Sequence, residues 1–137
     1  MAGALARLDT ERALVVHSGD GLDELSLAGP NRAMLVEGRM VGELSIDPAE
    51  LGLRRAARSA FAGGDAQLNS AIAMSVLGGE PGAARDVILL NAAAALFVAG
   101  RAPDVADGIG MAAEAIDSGA AAGIVEASAS FVDASAR

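Results

Sequence analysis

Arg12-Ala13-Leu14-Val15-Val16-His17-Ser18-Gly19-Asp20-Gly21-Leu22-Asp23-Glu24 joins a short apolar run to a glycine-rich acidic turn, and the reading of that junction decides the fold. Arg12 to Val16 has the length and apolar content of a short buried strand. In open α/β sheets, ligands gather outside the carboxyl ends of such strands, which sets Asp23 and Glu24 at a working edge. Neighbouring carboxylates in a curled turn can converge on one hard cation, and Mg²⁺ takes such oxygens together with substrate phosphates. The same residues also suit an ordinary structural role. Asp and Gly are common turn residues, and a carboxylate just before a helix is a common N-cap. On local pattern alone both readings stand.

Working outward, strand-like segments follow at Arg32 to Val36 and at Met40 to Ile46, with Gly38 in the turn between them. Asp47-Pro48-Ala49-Glu50 reads as a helix start, with Asp at the cap and Pro at the first helical position. From Leu53 the pattern turns helical and stays so. Asp65 is a credible N-cap for a helix carrying Leu68, Ile72 and Val76 on one face. Gly78-Gly79 ends that helix and Pro81-Gly82 makes a turn. The next helix spans about Ala83 to Val98, with Val87, Leu90, Ala94 and Phe97 aligned. A final helix from about Asp104 carries Ile109, Ala113, Ile116 and Ala120, and continues beyond Gly119 toward Val132. Before the first strand, Ala4 to Leu8 has the pattern of the last turns of an amphipathic helix already under way.

The expected class is therefore α/β, a few strands followed by a helix-rich C-terminal half. Two or three strands do not cover themselves, so either the helices supply most of the core or residues 1–137 are part of a larger domain.

Composition narrows the function classes. Of the 137 residues 53% are hydrophobic but only 2% aromatic, so the core is built from Ala, Leu, Val, Ile and Met. A net charge of −8 argues against a nucleic-acid surface, which needs clustered Lys and Arg. With no Cys, thiolate chemistry and disulfides are excluded, and a single His excludes a multi-His zinc site. Arg101 and Asp104 close the longest apolar run before it reaches the roughly 18 residues of a membrane span. The N-terminus carries no signal-peptide layout, and a cytoplasmic protein is the default expectation.

Motifs spread along the chain carry a resemblance. Val15-Val16-His17, Asp20-Gly21-Leu22-Asp23-Glu24-Leu25-Ser26, Asp47-Pro48 and Leu51-Gly52-Leu53 come first. Gly63-Gly64-Asp65 with Asn69, Leu77-Gly78-Gly79-Glu80, and Arg85-Asp86-Val87-Ile88-Leu89-Leu90-Asn91-Ala92-Ala93-Ala94-Ala95-Leu96 follow. Gly108, Ala112 and Ala115-Ile116-Asp117-Ser118-Gly119-Ala120-Ala121 complete the order. Together they resemble the C-terminal half of anthranilate phosphoribosyltransferase, in the family's order and over nearly the whole chain.

The resemblance implies a phosphoribosyltransferase/nucleoside-phosphorylase-like α/β domain of a tryptophan-biosynthesis enzyme. Such an enzyme transfers the phosphoribosyl group of phosphoribosyl pyrophosphate to the amino group of anthranilate and releases pyrophosphate. By position, Asp23 and Glu24 take the family's Mg²⁺-holding role. No catalytic residue and no substrate-binding residue is carried over. The Gly-Thr-Gly-Gly-Asp loop that cradles pyrophosphate and the family's N-terminal helical domain, which makes most of its homodimer contact, have no counterpart here. Gly63-Gly64-Asp65 reads instead as a helix stop followed by a cap. Residues 1–137 are thus expected to be a partial C-terminal domain, inactive by itself. Ser18 follows His17 where the family has glycine, and His17 reads as a strand-end residue rather than a base. Asn69 and Asn91 are expected to hydrogen-bond neighbouring loops. A related nucleoside-phosphorylase-like enzyme and a non-catalytic interaction module remain as alternatives.

Overall fold

The computed structural model describes residues 1–135. A short helix α1 (Ala2–Arg7) leads into three strands, β1 (Arg12–Ser18), β2 (Asn31–Glu37) and β3 (Met40–Ile46). Four α-helices follow: α2 (Ala66–Leu77), α3 (Ala83–Val98), α4 (Val105–Asp117) and α5 (Ala120–Ser135). The strands form one antiparallel meander in the order β1-β2-β3, with Leu14 opposite Leu35 and Ala33 opposite Leu44. Antiparallel pairing lets Gly38-Arg39 close β2 onto β3 as a two-residue turn. It also brings the C-terminal ends of β1 and β3 and the start of β2 into one row, Ser18, Asn31 and Ile46.

Both sheet faces are covered, and the register explains how. Leu14, Val16, Ala33, Leu44 and Ile46 share one face and pack on Val87, Leu90, Ala94 and Phe97 of α3. Ala13, Val15, Met34 and Val36 occupy the other face against Ala2, Leu5 and Ala6 of α1. Alternate residues of a strand point to opposite faces, so one strand serves two cores. Arg12 adds a polar tie: its guanidinium donates to the Phe97 carbonyl at the end of α3 (3.1 Å) and pairs with Glu37 (2.8 Å). A cation there complements the negative end of the helix dipole.

Helix α3 is buried on a second side, where Leu89 joins Val76 of α2 and Ala112 and Ile116 of α4. α3 and α4 approach closely at Gly108, which packs directly on Ala93.

Three expectations need correction. The start at Asp47 is a real turn, with the Asp47 carboxylate accepting from Ala49 N–H and Glu50 N–H bonding the Asp47 carbonyl. It ends at Gly52, whose φ of +78° is left-handed, so the segment stays a turn and does not grow into a helix. Residues 53–57 then carry no regular structure, and a turn of 3-10 helix (Arg58–Phe61) precedes α2. Second, the helix from Asp104 does not run through Gly119: φ of +78° there separates α4 from α5. Third, the α2 stripe is only partly buried. Val76 is in the core, Ile72 is intermediate and Leu68 is exposed, because no described element covers the first half of α2.

Candidate functional site: an acidic turn held by two asparagine amides

The segment between β1 and β2 is fastened at several backbone points, and the fastening begins at the strand end. Ser18, fully buried, accepts from Leu22 N–H through its Oγ (2.7 Å), while Gly21 N–H bonds the Ser18 carbonyl (3.2 Å). That closes the Gly19-Asp20-Gly21 loop. Past the acidic pair, Asn91 of α3 reaches across and grips Leu25 twice. Its Oδ1 accepts from Leu25 N–H (3.0 Å) and its Nδ2 donates to the Leu25 carbonyl (2.9 Å). Asn31 does the same for Ser26, accepting from its N–H (2.8 Å) and donating to its carbonyl (3.0 Å) and to that of Ile46 (3.0 Å). Leu27 is tied through its carbonyl to Ala56 N–H (3.2 Å).

Leu22 and Leu25 are therefore both pinned, and Asp23 and Glu24 are the residues between the pins. Both are exposed, and among the described residues neither carboxylate makes a hydrogen bond or an ion pair. Leu25 and Leu27 are fully buried on either side of Ser26, so apolar anchoring fixes the same segment from below. The result is a carboxylate pair displayed on a fastened backbone.

Asp20 does different work from its neighbours. Ser26 Oγ donates to its Oδ2 (2.8 Å), and the hydroxyls of Ser18 and Ser26 hold its carboxyl below the usual carboxylate range. Its own backbone amide and the Arg58 guanidinium act in the same direction, while partial burial opposes them. Asp20 thus braces the loop instead of facing outward with Asp23 and Glu24.

His17 is exposed on β1 opposite Arg32, and among the described residues it hydrogen-bonds neither carboxylate. Asn69 grips Gly64 by both its N–H (2.9 Å) and its carbonyl (3.0 Å), as expected of a loop-holding amide. Arg85 pairs with Asp117 across the α3–α4 bundle (2.9 Å), and Asp86 lies in the first turn of α3. Asn31 and Ser26 were not singled out by sequence reasoning. The available signal was a polar residue after Pro30, at the mouth of an apolar strand.

The donor set can be tested against a divalent ion. Among the described residues no three His, Asp or Glu side chains gather into a metal-holding group. The described residues therefore hold no fully protein-built cage. Two free carboxylates fit Mg²⁺, which binds through one or two carboxylates and takes water and phosphate oxygens for the rest. An apolar pocket of about 340 Å³, lined by Leu35, Leu44, Ile46, Leu51, Phe97 and Val105 among others, lies elsewhere and includes neither Asp23 nor Glu24. No helix among the described residues is long and apolar enough to cross a membrane.

Comparison with known proteins bears on what the turn serves. The profile of the "Glycosyl transferase family, a/b domain" matches residues 1–122. The chain is 49% identical over 127 residues to anthranilate phosphoribosyltransferase of Rubrobacter xylanophilus, covering 92% of this chain and 37% of that protein. It is 50% identical over 121 residues to the enzyme of the same name from Trichlorobacter lovleyi, covering 88% and 35%. Among solved structures, anthranilate phosphoribosyltransferase from Thermus thermophilus superposes with a TM-score of 0.85 at 38% identity, over 95% of this chain and 38% of that one. The Saccharomyces cerevisiae enzyme, solved in complex with PRPP and Mg, gives 0.73 at 25% identity over 80% of this chain and 32% of that one. The chain thus spans somewhat over a third of the length of the curated relatives it matches.

Proposed function

The chain belongs to the glycosyl transferase family, a/b domain, and from that membership we propose that it is a C-terminal part of an anthranilate phosphoribosyltransferase in which Asp23 and Glu24 hold Mg²⁺. The reaction is transfer of the phosphoribosyl group of phosphoribosyl pyrophosphate to the amine of anthranilate, with release of pyrophosphate. A cytoplasmic, tryptophan-biosynthetic setting belongs to the same proposal.

The observation that carries the site is the pair of exposed carboxylates, without a partner among the described residues, between backbone pins at Leu22 and Leu25. Breaking the bond from ribose C1 to pyrophosphate leaves negative charge on the departing oxygens. Mg²⁺, when bound, acts as a Lewis acid that stabilises that charge. Asp23 and Glu24 supply anionic oxygens at a defined place. Because the turn is fastened before any ligand arrives, little reorganisation is needed at the moment of reaction. Asp20 is engaged with Ser26 through Oδ2, while its Oδ1 is buried without a hydrogen-bond partner among the described residues.

The test is a chimera in which this chain replaces the matching third of the Rubrobacter xylanophilus enzyme, followed by loss of anthranilate fluorescence with phosphoribosyl pyrophosphate and Mg²⁺. The chimera is expected to turn over and the 137-residue chain alone is not. Asp23→Ala with Glu24→Ala in the chimera should reduce turnover by about 10²-fold or more, the usual scale for a lost electrostatic stabiliser. Unchanged turnover in a folded double variant at limiting Mg²⁺ removes the pair from the mechanism.

A further inference from the structure

An asparagine in the interior of an apolar helix is an unusual choice, because its helix propensity is poor and its amide demands partners. Asn91 stands in α3 between Leu90 and Ala92, and its amide spends its capacity largely on one residue far away in sequence. It accepts from Leu25 N–H and donates to the Leu25 carbonyl, as a paired strand residue does, and Nδ2 also meets the Val87 carbonyl one turn back (2.9 Å). Leu25 is 0% exposed, so its backbone groups have no water to turn to if the amide is removed. Leu25 also directly follows Glu24.

We propose that Asn91 is a positioning residue: by clamping both backbone groups of Leu25 to α3, it fixes the C-terminal side of the Asp23–Glu24 turn in the form that takes a divalent cation. The inference rests on the reading of Asp23 and Glu24 as cation ligands and adds the residue that holds them in place. On the N-terminal side the corresponding pin is Ser18 on Leu22, which belongs to the sheet. The turn is therefore strung between the sheet and α3, and Asn91 is the link to the helix layer. Without it the pinned form is one of several, and apparent cation affinity falls in proportion to its population.

A control of the same chemistry is present in the fold. Asn69 grips both backbone groups of Gly64 with the same two-bond geometry, but at the start of α2. Loss of an amide clamp as such is therefore separable from loss of this one.

The experiment uses the 137-residue chain and Mn²⁺ alone as a paramagnetic probe, read from backbone amide NMR signals, with hydrogen exchange at Leu25 measured in parallel. In the unaltered chain Mn²⁺ is expected to broaden residues 22–25 selectively, and Asp23→Ala with Glu24→Ala to abolish that effect. Asn91→Ala should raise the Mn²⁺ midpoint at this site by at least about threefold and speed Leu25 exchange by about tenfold or more. Asn69→Ala should leave both unchanged. Asn91→Ser, whose hydroxyl can still bond the Val87 carbonyl but cannot span both Leu25 groups, should behave as Asn91→Ala and serves if that variant does not fold. If the site is seen in the unaltered chain but its midpoint is the same in the folded Asn91 variants, or moves equally with Asn69→Ala, the positioning role is overturned and the cation reading stands. If no broadening in the unaltered chain depends on Asp23 and Glu24, the cation reading fails and this inference fails with it.

Discussion

Helix α4 contains a built-in comparison between a glycine that packing requires and one that it does not. A Cβ at Gly108 would lie 2.8 Å from the Ala93 carbonyl oxygen, 2.9 Å from Ala93 Cα and 3.1 Å from its Cβ. Two of those atoms are backbone of the central helix, so the contact cannot be relieved by a rotamer change, and α3 and α4 must separate. At Gly110, two residues on, a Cβ would meet nothing within 4 Å. Gly→Ala inside a helix gains about 0.5–1 kcal/mol from backbone entropy and propensity at either position. Overpacking a close interface costs about 1–3 kcal/mol. Gly110→Ala is therefore expected to stabilise, and Gly108→Ala to destabilise by about 1 kcal/mol net. Because the propensity gain cancels between the variants, their difference measures the packing cost alone. At about 3–5 °C per kcal/mol for a domain of this size, the two melting temperatures should stand roughly 3–15 °C apart. Thermal unfolding followed by far-UV circular dichroism is the assay. Equal stabilisation by both variants would refute a backbone-close α3–α4 crossing at Gly108.

Acid stability offers a second check. Asp20 has a lowered folded-state pKa, first through the Ser18 and Ser26 hydroxyls, so its contribution is present above its unfolded pKa and is lost as pH falls through the lower folded value. Between pH 7 and 2.5 the unaltered chain should lose more stability than Asp20→Asn, with the divergence confined to below about pH 4. Parallel curves would contradict the hydroxyl brace. The helix caps should differ in worth although their chemistry is alike. Asp104 caps α4 by accepting from Asp107 N–H (2.8 Å) beside buried Val105, and Asp104→Ala should cost about 1 kcal/mol of global stability. Asp65 caps α2 in the same way at Leu68 N–H (2.9 Å), where the helix is exposed. Asp65→Ala should fray that end with a smaller shift in melting temperature, and an equal shift would show that the start of α2 belongs to the cooperative core.

The elements that were legible in the sequence are those whose signals are local. The strand signals at residues 12–16, 32–36 and 40–46, the Asp65 cap, the Gly78-Gly79 stop and the full length of α3 all follow from short-range sterics and hydrogen bonding. Local signals also misled where a start was present without a continuation. Asp47-Pro48 opens a helical turn that Gly52 ends, and a helical stripe of small residues hid the break at Gly119.

The sequence by itself determined the three strands, the helices α2 and α3, that Asp23 and Glu24 sit in a turn after β1, and which family the chain resembles. Tertiary structure alone decided that the turn is fastened to the helix layer. Ser18 on Leu22 and Asn31 on Ser26 are local ties, but 66 residues separate Asn91 from Leu25 and 15 separate Asn31 from Ile46. A buried amide finds its partners only after the sheet and α3 have packed, because the need for a hydrogen bond is set by exclusion of water and not by neighbouring residues along the chain.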